Sequence, residues 1–348
     1  MDVIMAPLHQ WEVQIIQELQ TKFKNSSELM LFLTKLGDPR FAFLIYFPLV
    51  YFLNKRIGIQ VIWIAAVSEW LNAILKWVLY GHRPYWWVHE SGLYQDVPQL
   101  QQYRLTCETG PGSPSGHAMV TAAVWYAIIK AFNASTVNHR IFWSCLSWLF
   151  FILLMLSVMV SRCFIATHFP HQVLLGTVTG LLVSELFSQH FNLGPNLKTY
   201  IISSILLLTS ALILHGVLDA LVGNTMWSLK SATKWCGKKA WIHLDTTPYF
   251  AFTRDSASIF GVGLAQQLTK NQKEIKRSCR RKTGEVLIAV GFAIVTESMH
   301  IPQQPISVFY FLSCIKWTLV PCLVLCVVPR IGQILDISSY QKPDEKMS

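Results

Sequence analysis

Charge is scarce in this chain of 348 residues. Asp, Glu, Lys and Arg together make up 14%, against roughly 25% in an ordinary soluble domain. So small a stock cannot clothe a water-facing surface, and a hydrophobic content of 52% points to lipid as the main solvent. Acid is scarcer than base, 19 residues against 29, and no acidic cluster accompanies the histidines as a paired-metal hydrolase would require. Neither a metal nor another cofactor is expected. No basic and aromatic module accompanies the net charge of +10, which argues against nucleic acid as a partner.

Other features are missing too. The start has no basic stretch followed by a short apolar core and a small-residue cleavage site, so no signal peptide is expected to be removed. Cys107, Cys145, Cys163, Cys236, Cys279, Cys314, Cys322 and Cys326 form no CxxC pair and no regular extracellular spacing, and are expected to be small apolar packing residues. Repeats, low-complexity tracts and long linkers are absent. The expectation is one helical transmembrane domain over residues 1–348, with a cytosolic tail from about 329.

What is present is a series of apolar runs, each near the roughly 20 residues that a spanning helix needs. They lie at 28–53, 57–80, 116–132, 141–160, 170–188, 199–222, 254–268, 284–300 and 306–328. An all-α polytopic membrane protein with about nine spans follows, its termini on opposite sides. One set of connections holds Lys55, Arg56, Lys130, Arg140, Lys198, the run Lys270, Lys273, Lys276, Arg277, Arg280, Arg281 and Lys282, and Arg330. By the positive-inside rule that set is cytosolic. The amino terminus and the segments 81–115, 161–169 and 223–253 are then lumenal. Lys230, Lys234, Lys238 and Lys239 run against this pattern, but long loops obey the rule weakly.

Three lumenal segments carry chemistry. Lys76 and Arg83, before Pro84, are about two helical turns apart and share a face if the helix continues to the proline. Two cations snorkelling to headgroups would explain them equally well. Residues 110–117, GPGSPSGH, place small turn formers before an apolar helix. Its first amides can cradle phosphate, with Ser115 capping and His117 beside the anion. Taken alone, an ordinary capped helix bearing an incidental histidine is the better reading. Ser161, Arg162, His168, Phe169, Pro170 and His171 form a tight turn that presents a guanidinium fork and an imidazole together. Three cations, a phosphate cradle and two histidines on one membrane face are not a plausible coincidence.

These residues resemble the superfamily of lipid phosphatases and vanadium haloperoxidases, with its signature KxxxxxxRP, PSGH and SRxxxxxHxxxD. The resemblance implies the helical core of that superfamily. Gln172 stands where many members carry the Asp that orients the nucleophilic histidine, leaving Asp38, Glu69 or a backbone carbonyl as candidates for that role. The wider strings RPYWWVHESG, CETGPGSPSGH, HFPHQV and WIHLDTTP resemble glucose-6-phosphatase catalytic subunits across nearly the whole chain. KLGDPRFAFLIYFP and TRDSASIFGVGLA look most like the third of them.

The resemblance implies hydrolysis of glucose 6-phosphate, or a close analogue such as 1,5-anhydroglucitol 6-phosphate, without metal. His168 would be the nucleophile and His117 the proton donor and acceptor. Lys76, Arg83, Arg162, Ser115 and the Gly116 amide would bind the phosphate. It further implies residence in the endoplasmic reticulum and coupling to a separate glucose 6-phosphate transporter. Two rivals remain: a lipid phosphate phosphatase in which the Trp-rich residues 85–88 open toward the bilayer, and a non-enzymatic transporter lined by charged residues such as Glu69, Glu185, Asp219 and Lys316.

Overall fold

The apolar runs are helical in the computed structural model, which describes residues 2–135, 141–190, 196–223, 226–242, 244–271 and 279–340. Arg140, Lys273, Lys276 and Arg277, expected in cytosolic loops, lie outside the described residues, as does the end of the tail, 341–348. No strand occurs among the described residues. Each expected span coincides with a helix or a broken series. These are Ser27–Leu36 with Pro39–Phe41 and Phe47–Leu53, then Lys55–Leu79, Gly116–Ser135, Ile141–Phe164, Pro170–His190, Leu197–Val222, Pro248–Thr269, Cys279–Ser298 and Ile306–Cys322.

Length and apolar composition alone do not establish nine crossings. Among the described residues four helices are long and apolar enough to cross a bilayer, or five if the pair broken at Gly37 and Asp38 counts as one span. Ile141–Phe164 turns Phe142, Leu149, Ile152, Leu153 and Leu156 outward, which is the surface a helix presents to lipid rather than to water. Helices such as Gly116–Ser135 are long enough but dilute their apolar content with polar residues, Lys130 and Asn133 among them.

Three features go beyond the expected spans. Asp2–Lys22 is a helix, hidden in the sequence because Glu12, His9 and several glutamines interrupt its apolar face. Beyond Cys322 the chain stays helical through Val328–Tyr340, so the expected tail from about 329 begins within a helix. Cys107 and Cys236 are joined in a disulfide across 129 residues of sequence; they are a staple, not apolar packing.

The chain divides into two compact units. One comprises Met1–Pro39, Val67–His190 and Leu208–Phe252, and contains every motif segment. Its core gathers Val13 and Ile16 from the first helix, Tyr85, Trp86, Trp87 and Val88 from the short helix Pro84–Glu90, and Ala118, Ala122, Phe169 and Val173. The Trp-rich segment is therefore buried in protein rather than open to the bilayer. The other unit comprises Arg40–Ala66, Phe191–Leu207 and Thr253–Ser348. Within it buried Arg254 lies 5.2 Å from the Phe43 ring and 5.7 Å from that of Trp317, and Arg281 pairs with buried Glu285 at 3.0 Å.

The tightest contact in the motif-bearing unit joins Gly116–Ser135 to Pro170–His190. Gly176 and Gly180 form a GxxxG face, the spacing that lets two helix backbones approach closely. A Cβ on Gly180 would sit 2.1 Å from the Met119 carbonyl oxygen, and one on Gly176 2.5 Å from that of Ser115. Gly180→Val should therefore destabilise the protein by about 1–3 kcal/mol through overpacking, whereas Gly216→Ala, with open space at its Cβ, should be neutral or slightly stabilising. Thermal unfolding in detergent compares the two.

Candidate active site

The helix bearing Lys76 ends at Leu79, and Tyr80 takes a φ of 53°. The helix does not run on to the proline, so Lys76 and Arg83 do not share a helical face as the sequence spacing suggested. Arg83 instead adopts extended backbone at the cap position of Pro84–Glu90, as a residue before proline should. Its side chain turns inward and is fully buried. There Nε donates to the Gly110 carbonyl at 2.7 Å, Nη2 to that of Pro111 at 3.1 Å, and Nη1 to that of Thr167 at 3.2 Å. One guanidinium thus binds together all three segments.

The PSGH segment is placed by its neighbours. Gly112 N–H donates to the Gly81 carbonyl at 2.7 Å, Ser115 N–H to that of Gln172 at 3.0 Å, and Asn72 Nδ2 to that of Pro114 at 3.1 Å. Gly116 opens the helix, and a Cβ there would meet Asn72 Oδ1 at 3.0 Å. The first amides of a helix have no intrahelical acceptor. The Ser115 hydroxyl is buried and has no hydrogen-bond partner among the described residues, so it does not cap the helix as expected. It is a spare donor beside those amides. His117 stands in the first turn, its side chain 17% exposed.

The third segment closes on itself. The amides of Thr167 and His168 both point to the Arg162 carbonyl, at 3.3 and 3.4 Å. Ala166 adopts a φ of 54°, a left-handed backbone that costs roughly 1 kcal/mol or more in a residue other than glycine and wraps the turn tightly. Arg162 is buried, and its Nε has no partner among the described residues.

His168 is also fully buried. Its Nδ1 lies 2.8 Å from the Gly112 carbonyl oxygen and its Nε2 3.3 Å from Arg83 Nη1. A carbonyl can only accept and a guanidinium can only donate. The ring is therefore the neutral tautomer with its proton on Nδ1 and its lone pair on Nε2, fixed from both sides. Of the three candidates for the orienting group, the backbone carbonyl is the one in contact. Gln172 serves elsewhere. Its Nε2 donates to the His82 carbonyl at 2.7 Å and its Oε1 accepts from Phe169 N–H at 3.2 Å, bracing the loop that holds Gly112.

The sequence motifs do not single out Glu108. Its carboxylate sits among the cations. Oε2 is 3.0 Å from Arg83 Nη2 and 3.8 Å from His168 Nε2; Oε1 contacts Arg162 Nη2 and lies 3.7 Å from His117 Nδ1. Burial alone would raise its pKa, but Arg162 and Arg83, with His117 and Lys76, hold it well below the usual carboxylate range. Lys76 contributes to the cluster through its charge. Burial, then the charges of Arg83 and Arg162, push His168 well below the ordinary imidazole value.

A second group lies behind the turn. Buried Glu12 accepts from the backbone N–H of His171 at 2.8 Å and contacts its Nδ1 at 2.7 Å, so the first helix docks onto the start of Pro170–His190. With His9, these two side chains bring three potential ligand atoms within 4.8 Å of one another. The His9 ring also stacks on Phe169 at 4.3 Å and lies nearly parallel to that of His171, an arrangement that accounts for the cluster as packing.

Because the His168 pKa is lowered, its ring should stay neutral as pH falls through 6.5, where an ordinary histidine takes up a proton. Nitrogen NMR of histidine-labelled protein should show the Nδ1-protonated form unchanged from pH 8 to pH 6. Conversion to imidazolium in that range would contradict the geometry.

Residues 57–193, which include all three motif segments, match the PAP2 superfamily. Glucose-6-phosphatase 2 of Homo sapiens is 40% identical over 96% of this chain and 99% of its own. Glucose-6-phosphatase 3 of Homo sapiens is 38% identical over 91% and 93%, and glucose-6-phosphatase catalytic subunit 1 of Rattus norvegicus 34% over 94% and 96%. The nearly equal identities to types 2 and 3 do not single out the third. No solved structure matches. With identity above 30% sustained along nearly the whole of each relative, the chain belongs to the glucose-6-phosphatase family.

Proposed function

We propose that the chain hydrolyses glucose 6-phosphate, or a close sugar 6-phosphate such as 1,5-anhydroglucitol 6-phosphate, through a phosphohistidine on His168. The observation that carries this reading is the fixed tautomer of His168, whose Nε2 lone pair faces the cationic cluster. An imidazole neutral at working pH, oriented at its other nitrogen and surrounded by guanidinium groups, is a nucleophile aimed at an anion.

A phosphate monoester is slow to hydrolyse because charge spreads over its oxygens and the alkoxide leaves poorly. Arg83, Arg162 and Lys76 hold the non-bridging oxygens, with the Ser115 hydroxyl and the Gly116 amide as further donors. His168 Nε2 attacks phosphorus in line as the phosphorus–sugar oxygen bond breaks. His117 gives its proton to the departing oxygen. Water then attacks the phosphohistidine, yields a proton to His117, and releases phosphate with His168 restored. The three buried or half-buried cations supply the charge stabilisation that a paired-metal site would otherwise provide.

The site faces the lumen of the endoplasmic reticulum in this reading, with the amino terminus lumenal, the carboxyl terminus cytosolic, and one functional unit formed by the whole chain. The disulfide between Cys107 and Cys236 suits an oxidising compartment and lies next to Glu108. The sugar phosphate reaches that side by a separate transporter. Asn25, exposed in the turn Lys24–Ser26, begins a glycosylation sequon on the lumenal side. Asn133 begins a second but donates to Ser147 Oγ at 3.1 Å and lies toward the cytosol.

In detergent-opened membranes, His168→Ala should lose at least about 10³-fold of sugar phosphate hydrolysis, the scale of removing a covalent nucleophile, while EDTA leaves the wild type unchanged. Phosphatidic acid turned over in preference to sugar phosphate would assign the chain to lipid phosphatases instead. Glycosidase digestion should shift the wild type and not Asn25→Gln; glycan on Asn133 would invert the topology.

A further inference from the structure

Glu108 is more than a neutralising partner for the arginines. Its two oxygens reach Arg83, Arg162, His117 and His168; the proposed mechanism assigns Arg83, Arg162 and His168 to the phosphoryl group and His117 to the leaving oxygen. We propose that the Glu108 carboxylate is a built-in competitor of phosphate. A phosphate monoester binds by displacing it from the guanidinium forks, and product phosphate leaves as the carboxylate returns. This inference rests on the assignment of the cluster as the phosphate site.

Two observations separate it from a simple structural ion pair. The first is the donor inventory. A carboxylate offers two oxygens where a phosphoryl group presents three non-bridging ones, and the cluster holds more donors than Glu108 can satisfy. The buried Ser115 hydroxyl and the buried Arg162 Nε have no partner among the described residues. Leaving such groups unpaired costs stability, and a phosphoryl group has the additional acceptors they lack.

The second is the way Glu108 is held. Its backbone is fixed on every side, with its carbonyl accepting from Tyr85 OH at 3.0 Å and its N–H donating to the Thr106 carbonyl at 2.9 Å. Cys107 before it is tied to Cys236, and Thr109 after it contacts Thr246 Oγ1 at 3.2 Å. Arg83 and His168 are fully buried, yet the Glu108 side chain is 13% exposed. The Glu108 side chain is thus more accessible than the Arg83 and His168 side chains it contacts, and the proposed displacement is a rotation of that side chain on a fixed backbone. Its low pKa keeps it ionised across the neutral range, so competition persists at working pH.

The consequence is weaker phosphate binding and faster product release than three such cations would otherwise give. A structural role and a competitor role predict opposite signs. If Glu108 only positions the arginines, its removal loosens the site and weakens phosphate binding. If it competes, removal strengthens binding.

The test is direct binding of inorganic phosphate to the purified full-length protein by calorimetry, alongside kcat and KM for glucose 6-phosphate. Glu108→Gln should bind phosphate roughly tenfold or more tightly than wild type, the worth of one charge-assisted hydrogen bond, with KM and kcat both lowered as product release slows. Glu108→Asp, which withdraws the carboxylate by one methylene, should bind with intermediate affinity, and decides the matter if the Gln variant fails to fold. Unchanged or weaker phosphate affinity in the folded variants overturns the proposal, as does absence of phosphate binding to all three proteins. Binding does not depend on turnover. A wild type that binds phosphate but hydrolyses no sugar phosphate would refute the assigned reaction and leave the competition measurable.

Discussion

A buried guanidinium is tolerable only if nearly every donor it carries is satisfied, because the cost of removing the charge from water is several kcal/mol. Arg83 meets that condition with carbonyls from residues 110, 111 and 167, the Glu108 carboxylate and the His168 ring. None of these groups is near Arg83 in sequence, so the loop before Gly116–Ser135 and the turn before Pro170–His190 must both close onto it. The lone pair of His168 faces the cluster because Arg83 can only donate. The fold of the motif-bearing unit and the chemistry of its site therefore share one constraint.

Around that contact the protein spends rigidity where position matters. The GxxxG face brings the helix after PSGH against the helix after His168 at backbone distance. Glu12 caps the latter from the first helix, and Gln172 locks His82 and Phe169 in place. The Ala166 turn accepts an unfavourable backbone to bring His168 under Arg83. The cationic cluster is thus held by helix ends rather than by long free loops, the arrangement that preorganised electrostatic stabilisation requires.

Much of this was legible in the sequence, and what was not has physical reasons. Arg83, Arg162, His117 and His168 could be named because permanent cations and imidazoles at helix ends are chemically conspicuous, and their motif spacing is specific. Glu108 could not, since a lone acid in a long polar loop looks solvated until the loop is folded, although its place between Cys107 and the PSGH run was a clue. The orienting partner of His168 is a backbone carbonyl, which no side-chain pattern reveals. Lys76 and Arg83 come together without the helical continuity their spacing suggested, because Tyr80 breaks the helix. The first helix was hidden by the very polar residues, Glu12 and His9, that dock it, and the disulfide by the 129 residues separating its cysteines. Apolar periodicity located every long helix after the first but could not count crossings, since helices with polar faces satisfy length without satisfying hydropathy.

The central claim is that the phosphoryl group passes through His168. It is tested most directly by quenching a reaction of the purified protein with glucose 6-phosphate labelled at phosphorus within milliseconds of mixing, under alkaline conditions. The account predicts an acid-labile, alkali-stable phosphoryl adduct that maps to the peptide carrying His168 and is absent from His168→Ala. Turnover by the wild type with no such adduct at any time, or with the label on a different residue, would contradict it.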